Sequence, residues 1–90
     1  MNDLYFKVEN AYVNIMWSSN DSFNPCSTGV IGIYVYDSNG DEYPNIEGGE
    51  MDVYDDKSLK DYIPDVLDFI GFSANEDVEM MSEEEFPVGF

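Results

Sequence analysis

Asp61, Asp65 and Asp68 recur at spacings of four and three residues. On a helix turning ~100° per residue, that places them within about 60° of one another. Carboxylates grouped in this way have three chemical uses. A pair can serve as general acid and base, as in glycoside hydrolysis. A set can hold a hard cation such as Ca²⁺ or Mg²⁺. A row can present negative charge to a basic surface, in the position phosphates would take.

The first two uses find little support elsewhere in the chain. There is no His for proton transfer near neutral pH and no Arg to clamp an anion. Cys26 has no His partner and no basic neighbour to lower its pKa, so it reads as an inert thiol. Ninety residues leave little room for a sugar cleft, and no single carboxylate pair stands out. Asp37-Ser38-Asn39-Gly40-Asp41-Glu42 begins like a Ca²⁺ loop, but Glu42 holds the position that needs Gly, and Gly48 holds the position that needs a bidentate Glu. Zinc ligands are missing. The expectation is a protein that is not an enzyme and has no cofactor and no dedicated metal site.

The third use fits the charge. The chain has 20 Asp and Glu against three Lys, for a net charge of −17. Residues 1–36 carry only Asp3, Glu9 and Asp21 with Lys7, so nearly all of the excess follows Tyr36. Like charges repel within a compact chain and lower its stability. Asp61/Asp65 and Asp65/Asp68 are like-charge pairs that each cost an isolated helix roughly 0.2–0.5 kcal/mol. A helical turn of ~6 Å also loosely matches the phosphate spacing of a nucleic acid strand, ~3.4 Å along the axis. The candidate partner-binding acids are Asp55 and Asp56, then Asp61, Asp65 and Asp68, then Glu76, Asp77 and Glu79, and finally Glu83, Glu84 and Glu85. Further acids cluster at Asp37, Asp41 and Glu42 and at Glu47, Glu50 and Asp52. Tyr54, Tyr62 and Phe86 lie among acids and are candidate aromatic anchors, with packing in the core as their other reading.

The elements that must position these acids read as α+β. Leu4-Phe6-Val8 and Ala11-Val13-Ile15-Trp17 alternate as two strands around a Glu9-Asn10 turn. Ser18–Thr28 reads as a loop. Ile31, Ile33 and Val35 mark the strongest strand, and Asn39-Gly40 suggests a type I′ hairpin turn after it. A return strand starts near Glu42-Tyr43, Pro44 makes it short or an edge, and Met51–Tyr54 resumes as a further strand. Leu59, Ile63, Val66 and Ile70 form a helical stripe flanked by Tyr62, Leu67 and Phe69, with Gly71 as the C′ residue. Pro64 either kinks this helix or opens a second short one. Ser73–Glu76 has capping-box spacing and suggests a short acidic helix through Met81. Ser82–Glu85 repeats that spacing, and the last residues, within 82–90, form either a docked tail or a frayed end. The expected fold is a small antiparallel sheet of three to five strands with one or two helices packed on it, in a single domain spanning residues 1–90. Aromatic residues at 16% of the chain supply a core that a disordered acidic tail would lack. No signal peptide and no membrane span is read in the sequence, so a soluble cytoplasmic protein is expected.

Small acidic chains with a short sheet and acidic helices resemble phage-encoded DNA mimics: anti-CRISPR inhibitors, uracil-DNA glycosylase inhibitors and anti-restriction proteins. Ile31–Tyr43, Ser58–Ile70 and Glu76–Glu85 are similar to the hairpin, helix and acid-rich stretch of small anti-CRISPR inhibitors of RNA-guided nucleases. The N-terminal strands depart from the N-terminal helix of those proteins. The resemblance implies an inhibitor that fills the basic nucleic-acid groove of a CRISPR effector or another DNA-binding enzyme and blocks DNA binding, with no direct binding of nucleic acid or membrane by the chain itself. The same charge would also serve an immunity or antitoxin-like protein that neutralises a basic toxin nuclease, or a generic acidic domain adapted to high salt or diffuse Ca²⁺.

Overall fold

The structure, a computed structural model, describes residues 3–18, 27–43 and 48–87. Cys26, Pro44, Glu47, most of the Ser18–Thr28 loop and the last three residues lie outside the described residues.

Among the described residues, five strands form one antiparallel sheet: β1 (Leu4–Val8), β2 (Ala11–Trp17), β3 (Gly29–Tyr36), β4 (Gly49–Val53) and β5 (Glu79–Met81), in the spatial order β4-β3-β2-β1-β5. The period-2 alternation decides its two faces. Register places Phe6 opposite Val13 and Val13 opposite Val35, with Ile15 opposite Ile33 and Ile31 opposite Met51. These residues form the floor of the main core. The helix α1 (Ile63–Phe69) and the 3-10 turn before it (Leu59–Tyr62) cover that floor with Leu59, Tyr62, Ile63, Val66, Leu67 and Ile70.

Pro64 falls in the first turn of α1, where a missing N–H costs nothing. The predicted stripe is therefore split into a 3-10 turn and a seven-residue α-helix. Gly71 closes the helix at φ 97°, with its own N–H on the Asp68 carbonyl (3.2 Å) and the Phe72 N–H on the Leu67 carbonyl (2.8 Å). That is the paired bonding of a Schellman cap.

Two turns differ from expectation. After β3, only Gly40 in the Asp37–Asp41 loop has positive φ (83°). The Asp37 carboxylate accepts the N–H groups of Asn39 (2.9 Å) and Asp41 (3.0 Å), which favours a three-residue loop with a glycine bulge over a type I′ turn. The return at Glu42 is an isolated bridge to Tyr36, followed by the Tyr43 N–H on the Val35 carbonyl (3.2 Å), and among the described residues the β3 ladder continues from Gly49 opposite Ile33. Residues 73–81 are not an acidic helix. The Ser73 hydroxyl and carbonyl bind the N–H groups of Asn75 and Glu76 in a turn, and Glu79–Met81 pairs with β1 as an edge strand.

The opposite face of the sheet carries Tyr5, Tyr12, Asn14 and Tyr36. Phe86 packs on it edge-on to Tyr5, Tyr36 and Tyr12, with ring centroids at 5.0, 5.8 and 6.2 Å. Asn14, 3% exposed, is satisfied by donating to the Leu4 carbonyl at 3.1 Å. The described tail is thus docked through Phe86, after a 3-10 turn over Glu83–Glu85.

Candidate functional site

The connection from β4 to α1 and the α1 face away from the core hold five of the candidate acids. Asp55, Asp56, Asp61, Asp65 and Asp68 are all exposed. They do not form one helical row, because Asp61 belongs to the 3-10 turn and its carboxylate accepts the Ser58 hydroxyl at 2.9 Å. Lys57 Nζ lies 3.7 Å from Asp65 Oδ2 and 3.9 Å from Asp55 Oδ2, and 4.8 Å from the centroid of the Tyr62 ring. Asp68 stands in the last turn of α1, which has no basic residue to offset it.

The other six acids lie toward the opposite edge. Glu76 and Asp77 precede β5, Glu79 faces Lys7 across the β1–β5 pair, and Glu83, Glu84 and Glu85 form the tail turn. Glu85 is tied down by accepting the Ser82 N–H (3.2 Å) and hydroxyl (3.1 Å). With four inter-strand gaps of ~4.8 Å, the edge strands β4 and β5 stand roughly 19 Å apart. Both ion pairs formed among the described residues belong to Lys57.

The three proposed aromatic anchors separate by burial. Tyr62 (3% exposed) and Phe86 (5% exposed) are core residues. Tyr62 is held by an edge contact with Trp17 at 5.8 Å and donates its hydroxyl to the Asp55 carbonyl. Tyr54 is 53% exposed, and Phe69, which the helical stripe placed beside the core, is 48% exposed. The wheel already contained a signal for Phe69: it lies ~40° from Asp65 but ~90° from the centre of the apolar stripe.

Tyr54 and Phe69 flank a groove of about 350 Å³ between β4 and α1. Its floor includes Met51 and Val53, and Asp52, Asp55, Asp65 and Asp68 also line it. Phe69 reaches over the start of β4: a Cβ at Gly49 would lie 4.0 Å from the Phe69 ring, in ordinary van der Waals contact.

Two tyrosines have perturbed acidities. Burial, and then the charges of Glu83 and Asp3, push the Tyr5 hydroxyl above the usual phenol range. Burial, with Tyr34 and Glu42 adding, does the same to Tyr36. Among the described residues there is no cluster of three or more metal-ligating side chains, and no helix is long and apolar enough to cross a membrane. No family model matches the chain, and neither a curated protein nor a solved structure does.

Proposed function

We propose that the protein is an acidic inhibitor that occupies the basic nucleic-acid groove of a DNA-binding enzyme, a CRISPR nuclease or effector being the target class, and so blocks DNA binding. The observation that carries this reading is that exposed carboxylates go without countercharge: Lys57 pairs with Asp55 and Asp65, and no other ion pair forms among the described residues. A groove rich in Lys and Arg gains from such a surface what it gains from phosphate, including release of bound counterions. The complementary fields also speed encounter, and salt weakens that steering. The test is competition between the protein and labelled target duplex for a purified RNA-guided nuclease, at 0.1 and 0.5 M salt. Stoichiometric displacement of DNA that weakens at the higher salt is expected. A nuclease that holds the protein and still binds its duplex with normal affinity would rule out groove occupancy.

A further inference from the structure

We infer that the groove between β4 and α1 docks an arginine-bearing segment of the partner, with the guanidinium seated against Phe69 and beside the carboxylates of Asp65 and Asp68. This inference rests on the reading of the protein as the partner of a basic surface, and it names where that surface is gripped. The groove combines two properties that bulk acidity does not supply. It has an apolar floor, Met51 and Val53, and it is flanked by two half-exposed rings, Tyr54 and Phe69. A planar, weakly hydrated guanidinium stacks on such a ring while donating to carboxylates on either side, and an ammonium does this less well.

The chain itself shows one cation at one end of this groove. Lys57 sits over Tyr62 at 4.8 Å and within 4 Å of the Asp55 and Asp65 carboxylates, all three of which are groove residues. The end beyond it, toward Phe69 and Asp68, has no counterpart: no side-chain hydrogen bond or ion pair engages Asp68 among the described residues, and Phe69 presents half its surface to solvent. Charge complementarity therefore assigns a cationic occupant, and the exposed ring selects arginine over lysine. A second copy of this chain is disfavoured as occupant by its own net charge of −17.

The experiment uses blocked tetra-arginine and tetra-lysine peptides, equal in charge, titrated into the full ¹⁵N-labelled chain in 0.15 M NaCl. Tetra-arginine is expected to bind about fivefold more tightly than tetra-lysine, with amide shifts concentrated in residues 49–55 and 65–69. Phe69→Leu keeps the apolar bulk and the net charge, so it preserves the fold, which the same spectra verify. It is expected to abolish the arginine preference and weaken tetra-arginine about fivefold. Replacing Glu83, Glu84 and Glu85 by Gln removes three charges from the other edge and is expected to change the preference less than twofold. Equal affinity for the two peptides, or shifts spread evenly over both acidic edges, or a Phe69→Leu variant that still prefers arginine, would overturn the inference. DNA competition by the same variants separates the two ideas. If wild type and Phe69→Leu displace DNA equally while the peptide shifts are diffuse, the groove is refuted and the inhibitor reading stands. If the peptides localise but wild type displaces no DNA, the inhibitor reading fails and the groove stands.

Discussion

Phe86 offers the sharpest test of how the acidic tail is held. It is 5% exposed and packs edge-on to three tyrosines, each at a centroid distance within the range of favourable aromatic pairs. Truncation to alanine in a well-packed core costs about 3–5 kcal/mol. Phe86 follows a short 3-10 turn with no buried residue, so water can reach the vacated site and the lower end applies, about 3 kcal/mol. For a domain of this size, 1 kcal/mol moves Tm by about 4–8 °C, so Phe86→Ala should lower Tm by about 12–24 °C. Phe86→Leu, which keeps apolar burial and loses the ring contacts, should cost about 1 kcal/mol. Urea and thermal unfolding, followed by far- and near-ultraviolet circular dichroism, measure both variants; the near-ultraviolet signal reports the Tyr5, Tyr12 and Tyr36 environment directly. A Phe86→Ala shift below about 1 kcal/mol would show that the tail is not part of the cooperative fold, and that Glu83–Glu85 are not held against the sheet.

Other substitutions test other parts of the account. The Tyr5 and Tyr36 acidities are raised in the folded state, so the fold favours the protonated phenols. Their contribution is fully present below the unfolded phenol pKa of about 10 and is lost as pH rises through the higher folded values; urea midpoints should fall above about pH 10, and less steeply in Tyr5→Phe. At Gly48 a Cβ would lie 2.3 Å from the Ile33 carbonyl oxygen, so Gly48→Ala must push β4 off β3, costing about 1–3 kcal/mol and deprotecting the β4 amides in hydrogen exchange. Gly49→Ala, whose nearest neighbour is the Phe69 ring at 4.0 Å, is the tolerated control. Asp68→Lys replaces an acid in the last turn of α1 with the charge the helix dipole prefers and turns the Asp65/Asp68 repulsion into attraction. It should raise stability by about 0.5–1.5 kcal/mol in urea unfolding while weakening the competition with DNA.

The sheet and helix were legible where pattern and packing agree. Leu4, Phe6 and Val8 alternate because only one side of β1 faces α1, and Leu59, Ile63, Val66 and Ile70 recur because they cover the other side of that layer. Gly71 could be read as a cap because positive φ after a helix calls for Gly. What failed to read out depended on distant partners. Glu79–Met81 has the local spacing of a capped acidic helix, yet the open edge of β1 recruits it as a strand. Asn39-Gly40 suggests a two-residue turn, but the Asp37 carboxylate captures two N–H groups and lengthens the loop. Of the candidate site, the exposure of the acids was legible, since charge stays in water. Their division between two sheet edges was not, because it follows from the strand order. Tyr62 and Phe86 take the core reading that the sequence left open beside the anchor reading, because acids beside them in sequence say nothing about which face of the sheet they cover.

Sorting the acids by what the fold asks of them sharpens the functional reading. Asp37 organises a turn, Asp61 accepts Ser58, Glu85 anchors the tail turn, and Asp55 and Asp65 hold Lys57 over Tyr62. These acids have local work, and a stability argument accounts for them. Among the described residues, no side-chain hydrogen bond or ion pair engages Asp56, Asp68, Asp77 or Glu84. Asp68 goes further, because its place at the end of α1 opposes the helix dipole and its neighbour Asp65 repels it. A chain shaped for stability alone would carry Lys or a neutral residue at such a position, as the expected gain from Asp68→Lys makes explicit. Each acid retained against the fold's own interest lowers stability by a few tenths of a kcal/mol, in a domain whose total is about 5–15 kcal/mol. On the inhibitor reading proposed above, a basic partner would turn the same repulsion into attraction and offset that cost. Stability and binding are therefore expected to move in opposite directions at Asp68, and together at Asp65, whose loss also releases Lys57.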